Sequence, residues 1–167
     1  TLGELGDKRD AVTRRLADPR SLFRYARGRL ALWAPRSLAL DVPSLGLRSL
    51  LDSSIRRVAI ANPRHAPYGR AAVAALAASG LTAAVTPKLV TGENVAQAMQ
   101  MAQSGAADAA LVSLSLTHAP GVASAGQIYV VPAALHPPIE QGGVVLRRAA
   151  DPSAAAAFAE YLRSASA

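Results

Sequence analysis

Short apolar runs and alanine-rich helical stretches follow one another along most of this chain, and that alternation constrains its fold more than any other feature. Residues 29–34 (Arg-Leu-Ala-Leu-Trp-Ala) alternate in polarity and stop at Pro35, and residues 58–61 form a continuous apolar run. Residues 88–90, 107–112, 128–131 and 143–147 read as further strands. Between them, residues 45–51 read as a short helix, 69–79 as an alanine-rich helix closed by Gly80, and 95–104 as a helix ending at Gly105. Asp151-Pro152-Ser153 opens a last helix with Ala154, Phe158 and Leu162 on one face. Residues 9–27 carry charges at helical spacing but are broken at Asp18-Pro19, which predicts two short helical turns. Residues 113–126 read as irregular and 133–140 as a loop. Strands alternating with helices predict an α/β fold on a parallel or mixed sheet. With 38 alanines and only seven aromatic residues, the helices are expected to be slim and to pack close to the sheet.

The 167 residues suit one domain, or one and a fraction, with enough chain to bury a core. The absence of cysteine excludes a disulfide scaffold, a Cys-ligated zinc and a thiol nucleophile. Three histidines (His65, His118, His136), none in an HExxH arrangement, argue against a dedicated metal centre. The formal charge is +7, and it is unevenly placed: residues 1–57 hold +6 and residues 58–167 hold +1. Sixteen of the eighteen basic residues are arginine, with no aromatic or glycine-rich docking face beside them, so nucleic acid is not the expected partner. Residues 71–87, the longest weakly polar stretch, are interrupted by Ser79, Gly80, Thr82 and Thr86, and no membrane span is expected. The chain opens without an apolar h-region, which leaves a cytoplasmic, a processed and an incomplete chain all open.

Two strand-to-helix turns stand out as places for chemistry. The first is Asn62-Pro63-Arg64-His65-Ala66-Pro67-Tyr68-Gly69-Arg70, where two prolines stiffen the approach and Gly69 permits close contact with the backbone. The second is Thr91-Gly92-Glu93-Asn94-Val95. A helix start carries about half a positive charge and unpaired N–H groups, so each turn suits an anion without needing lysine. Two such starts at one sheet edge form the usual ligand crevice of an α/β lobe. Arg64 and Arg70 suit steering of an anion or simple solvation. His65 reads as a surface loop residue, with no carboxylate nearby in sequence to make it a base. Ser113 and Ser115 follow a buried run and offer hydroxyls, while Trp33 and Tyr129 read as packing residues. No Gly-x-Ser-x-Gly elbow, P-loop or carboxylate pair is present, so the chain is not expected to be an enzyme.

The residues that carry these turns also carry a resemblance. Arg27-Gly-Arg-Leu-Ala-Leu-Trp, then Arg57-Val-Ala-Ile-Ala-Asn-Pro-Arg-His-Ala-Pro-Tyr-Gly-Arg-Ala-Ala, resembles the periplasmic molybdate-binding protein of molybdate ABC transporters. Lys88-Leu-Val-Thr-Gly-Glu-Asn-Val, Ser104-Gly-Ala-Ala-Asp-Ala-Ala-Leu-Val-Ser, Pro138-Ile-Glu-Gln and Phe158-Ala-Glu-Tyr-Leu-Arg-Ser continue it in order, from about residue 25 to residue 166. The resemblance implies a type 2 periplasmic binding protein fold, here one complete lobe plus part of the other, with a tetrahedral oxyanion held between lobes. It implies molybdate or tungstate as ligand, no cofactor, and molybdenum held as its oxyanion rather than by direct metal ligation. By position Tyr68 and Val95 would contact the oxyanion through backbone N–H groups, and Ser113 stands where some relatives present a tyrosine hydroxyl. Neutral donors and cavity size would then separate molybdate from the smaller sulfate. The implied setting is the periplasm, and the implied partner is the permease of an ABC importer.

The resemblance also implies a division: residues 1–24 without family match, 25–57 a first hinge strand and connection, 58–126 the second lobe, and 127–167 a second hinge strand with the C-terminal part of lobe one. The hinge strands are placed near residues 29–34 and 128–131. The family's serine- and threonine-bearing N-terminal loops have no counterpart here, which implies weakened binding. Strands at 143–147 and 29–34 are expected to lose neighbours and expose edges, favouring self-association or pairing with a separately made N-terminal piece. Two other readings stand beside the importer: an oxyanion-sensing domain of a transcriptional regulator, and a non-functional remnant. The regulator needs a helix-turn-helix, which Asp18-Pro19 interrupts in residues 9–27.

Overall fold

A computed structural model describes residues 2–164. In chain order the backbone forms β1 (Leu2–Glu4), α1 (Leu5–Thr13), β2 (Phe23–Gly28), β3 (Leu30–Pro35), α2 (Val42–Leu45), β4 (Val58–Ala61), α3 (Pro67–Ala78) and α4 (Thr82–Val85). It continues through β5 (Leu89–Gly92), α5 (Val95–Gln103), β6 (Ala109–Ser113), α6 (Leu114–Thr117), α7 (Val122–Ala125), β7 (Gly126–Val130), β8 (Ile139–Gly143) and α8 (Pro152–Arg163). These elements fall into two compact units: Arg29–Pro138, and Thr1–Gly28 together with Ile139–Ala167.

The Arg29–Pro138 unit is a five-stranded sheet in the order β5-β4-β6-β3-β7. β4 pairs in parallel with β5 and with β6, whereas β3 pairs antiparallel with β6 and β7. Every residue of β4 and β6 is buried, as expected of apolar runs in a sheet covered on both faces. On one face Ala98, Met99 and Ala102 of α5 meet Trp33, Ala59, Ala110 and Val112 of the sheet. The alanines let the helix sit close, and the Trp33 indole fills the remaining space while its Nε1 donates to the Val122 carbonyl at 3.2 Å. α3 ends at Gly80, whose φ of +69° no side chain adopts cheaply, and Leu81 N–H returns to the Leu76 carbonyl at 2.9 Å. Before β6, the Asp108 carboxylate accepts from the N–H groups of Arg56 (2.8 Å) and Arg57 (2.7 Å), fastening the lead-ins of β4 and β6 together.

The second unit is a three-stranded antiparallel sheet in the order β1-β8-β2, with a bulge in β2 between Arg24 and Ala26. Arg24 pairs with Glu140 across β2 and β8 at 2.6 Å. α8 packs along β2, yet none of its residues is buried, and Phe158 remains 52% exposed. Phe23, Val144, Leu146, Ala155 and Phe158 line an apolar cleft of about 260 Å³ in this unit. Among the described residues no helix is long and apolar enough to cross a membrane.

Several local expectations are corrected. Residues 23–28 form a strand rather than a helical turn, because Phe23 and Tyr25 alternate with exposed Arg24 and Ala26 and pair with β8. The helix starting the alanine-rich stretch begins at Pro67, not Gly69, since proline is preset for a first helical turn. Residues 113–126 include two short helices, α6 and α7. The strand expected at 143–147 lies earlier, at Ile139–Gly143, and takes in the last two residues of the loop expected at 133–140. β1 and β2 flank it on both sides, so it is no exposed edge. Nor is the strand expected at 29–34, because β6 and β7 flank β3. Neither strand therefore offers an open edge for self-association.

Candidate functional site

The Arg29–Pro138 unit brings three strand ends out at one edge. Parallel β4, β5 and β6 are in register with Ala61 opposite Gly92 and Ile60 opposite Leu111, so the turns that follow them emerge together at the carboxyl edge. Asn62 organises the first turn. Its N–H donates to the Gly92 carbonyl at 2.8 Å, its own carbonyl accepts from the N–H groups of Ala66 (2.8 Å) and His65 (3.3 Å), and its Oδ1 accepts from Arg64 N–H at 3.1 Å. The chain then enters α3 through Ala66 at the N-cap, which provides no side-chain cap, and Pro67. The ladder of α3 starts at Arg70, whose N–H reaches the Ala66 carbonyl at 3.1 Å. Tyr68 and Gly69 lie in the turn before that first ladder bond.

Gly69 is buried against the end of β4. A Cβ there would overlap the Ala61 carbonyl and stand 2.9 Å from Pro63 N. The close approach that this glycine permits is thus made by the protein's own strand end. Gly92 has the same function at the end of β5, where a Cβ would lie 2.9 Å from Ala98 N. These glycines seat each helix start directly on its strand.

The second turn is capped differently. Asn94 Oδ1 accepts from Gln97 N–H at 2.9 Å, and Gln97 Oε1 accepts from Glu93 N–H at 2.5 Å. This reciprocal pairing follows the logic of a capping box. The first ladder bond of α5 is Ala98 N–H to the Asn94 carbonyl at 3.1 Å. With Gln97 capped, Val95 and Ala96 are the N–H groups that the helix and its cap leave unserved.

Of the residues expected from sequence, Tyr68 and Val95 are half-buried on the helix starts that follow neighbouring strands. Ser113 ends β6, on the other side of β4, where it is only 4% exposed. Its Oγ lies 3.2 Å from Ser115 Oγ, so the two hydroxyls form a pair. The three positions thus share one edge, carried by three adjacent strands. Asn94 lies in the second turn singled out from sequence, whereas Ala96 and Gln97 were not among the expected site residues, although Asn-x-x-Gln is a readable cap signature.

His65 is exposed in its turn, as expected of a surface loop residue, but it is not alone there. Its Nε2 lies 3.0 Å from the Glu93 carbonyl oxygen and 3.6 Å from Glu93 Oε2, so a carboxylate does stand beside it. The partner is 28 residues away in sequence and becomes a neighbour only through the β4–β5 pairing. Arg64 and Arg70 are exposed on the same turn.

Three aspartates are held below the ordinary carboxylate range, all outside the two turns. The Arg20 side chain and backbone lower Asp18, the Ser44 contacts lower Asp41 at the start of α2, and the Ser54 contacts lower Asp52. The backbone N–H groups at the two helix starts are neutral donors with helix-dipole charge behind them, an arrangement suited to an anion.

The model of the family described as bacterial extracellular solute-binding protein matches residues 5–167. The molybdate-binding protein ModA of Azotobacter vinelandii is 39% identical over 143 residues, which is 86% of this chain and 56% of that protein. ModA of Rhodobacter capsulatus is 34% identical over 154 residues, covering 92% of this chain and 58% of that protein. The chain thus spans a little over half the length of these curated relatives. Among solved structures, the periplasmic molybdate-binding protein of Azotobacter vinelandii superposes with a TM-score of 0.85 at 28% identity, over 98% of this chain and 71% of that one. All three are named as binding proteins.

Proposed function

The chain belongs to the bacterial extracellular solute-binding protein family, and from that premise we propose that it binds molybdate or tungstate through N–H groups at the starts of α3 and α5. The observation that carries this reading is the pair of helix starts at one carboxyl edge, each seated on its strand by a glycine. The names of the relatives support the choice of oxyanion. Tyr68 and Val95 are the proposed donors, with Gly69 and Ala96 beside them and the Ser113 hydroxyl as an additional contact. Residues 58–126 carry all of these groups. The chain acts as the solute-binding component of an ABC importer in the periplasm, delivers its ligand to a permease and catalyses no reaction.

Affinity of these 167 residues alone is expected to be weak. A charge-assisted hydrogen bond contributes about 1.5–3 kcal/mol, so each donor supplied by the remainder of the relatives' length is worth roughly ten- to a hundredfold. A ¹⁵N-resolved titration with molybdate, tungstate and sulfate at matched ionic strength tests the site. Molybdate and tungstate should move the amide resonances of Gly69, Val95 and Ala96 saturably, and sulfate should move them much less. Unmoved amides, or equal response to sulfate, would refute the assignment. Micromolar or tighter binding would refute the expected weakness.

A further inference from the structure

We infer that His65 is the positioning residue that sets the spacing between the two oxyanion-binding helix starts, by tying the residue before one N-cap to the residue before the other. The N-caps are Ala66 for α3 and Asn94 for α5, so His65 and Glu93 occupy equivalent places immediately ahead of each helix. The β4–β5 ladder ends at Ala61 opposite Gly92, with one further bond from Asn62 N–H to the Gly92 carbonyl. Beyond that point the two turns leave the sheet, and the His65 side chain spans from one to the other.

The geometry also assigns the proton. A carbonyl oxygen only accepts, so the 3.0 Å contact with Glu93 requires Nε2–H as donor. The Glu93 carboxylate at 3.6 Å is too distant for a second hydrogen bond to that nitrogen but close enough to favour the same orientation electrostatically. The His65 side chain is 55% exposed, so the tether contributes little to global stability. Its effect is local. Val95 follows Glu93 by two residues and Tyr68 follows His65 by three, so the distance between the two donor sets depends on this link. Two donors aimed at one tetrahedral anion gain from being held at a fixed separation before the ligand arrives.

The consequence for binding rests on the oxyanion reading above, but the tether itself does not, and the test separates them. Three forms are compared: wild type, His65→Ala, and His65→Gln, whose side-chain amide N–H also donates to a carbonyl. Without ligand, His65→Ala should shift the Glu93 carbonyl ¹³C resonance and speed hydrogen exchange at Ala66, Asn94 and Val95 several-fold, and His65→Gln should restore both. In the molybdate titration, His65→Ala should raise Kd about three- to tenfold with the urea midpoint unchanged, and His65→Gln should return it towards wild type. An unchanged Glu93 carbonyl and unchanged exchange in His65→Ala would overturn the tether. A broken tether with unaltered Kd would overturn its positioning role. If wild type responds to no oxyanion, the positioning role fails together with the oxyanion reading, while the ligand-free readouts still decide whether the two turns are tied.

Discussion

Gly69 shows how much of a binding turn can rest on one missing side chain. The residue is buried, and a Cβ on it would collide with the Ala61 carbonyl, a backbone atom at the end of β4. Gly69→Ala must therefore lift the start of α3 off β4. Overpacking of this kind costs about 1–3 kcal/mol, and the displaced turn should also blunt the Val95 and Gly69 responses to molybdate. Gly80→Ala provides the contrast, because nothing lies within 4 Å of that position and only its φ of +69° is unfavourable, at a cost of about 1 kcal/mol. Urea midpoints of the two variants separate the mechanisms, and a Gly69→Ala loss no larger than that of Gly80→Ala would mean that the helix start retreats freely. At this scale the two turns were legible in the sequence because Pro-Tyr-Gly and Gly-Glu-Asn are local signals. The His65–Glu93 contact was not, because it exists only once β4 and β5 are known to be parallel and in register.

Helices α3 and α5 begin in the same way on the sheet but are finished differently, and the difference bears on function. α5 has Asn94 as its cap, whereas α3 has Ala66, whose side chain offers no acceptor to the first N–H groups of the helix. Placing a carboxylate there offers those groups a permanent partner. Ala66→Asp should stabilise α3 by roughly 0.5–2 kcal/mol through capping and the helix dipole. The same carboxylate should compete with and repel an oxyanion, so the molybdate response of Gly69 should disappear while the urea midpoint rises. A variant that is stabilised yet binds molybdate with unchanged affinity would place the anion away from the start of α3. Elements of this kind were readable wherever composition and period agreed, as in the alanine-rich α3 and the apolar β4 and β6. They were misread where charges mimic helical spacing, as in Phe23–Gly28, and where glycines hide a strand, as at Gly142 and Gly143 in β8. In both cases pairing with a distant strand decides, and local preference does not.

Among the described residues, burial is unequally shared between the two units. Of their largest fully buried side chains, Trp33, Leu30, Leu32, Leu50, Ile55, Ile60, Leu111, Val42, Val58, Val85 and Val112 lie within Arg29–Pro138, and Val144 lies in the other unit. The alternation of strand and helix announces an α/β chain but gives no hint of this imbalance, because the order of strands and the neighbours of each helix are set by contacts far apart in sequence. Each large apolar side chain removed from water contributes about 1.5–3 kcal/mol. A unit whose described residues hold one of them, with a helix α8 that has no buried residue, should therefore open well before the five-stranded sheet does. Native-state hydrogen exchange in rising urea resolves this residue by residue. Amides of β8 and α8 should exchange through openings at least about 2 kcal/mol less costly than those of β4 and β6. Trp33 provides an optical check, since it is the sole tryptophan and is buried in the sheet. Its fluorescence should change at higher urea than the exchange of β8. A single coincident transition for all four elements and for Trp33 would mean that the two units fold as one cooperative body, and that the thin burial of α8 and β8 is compensated elsewhere.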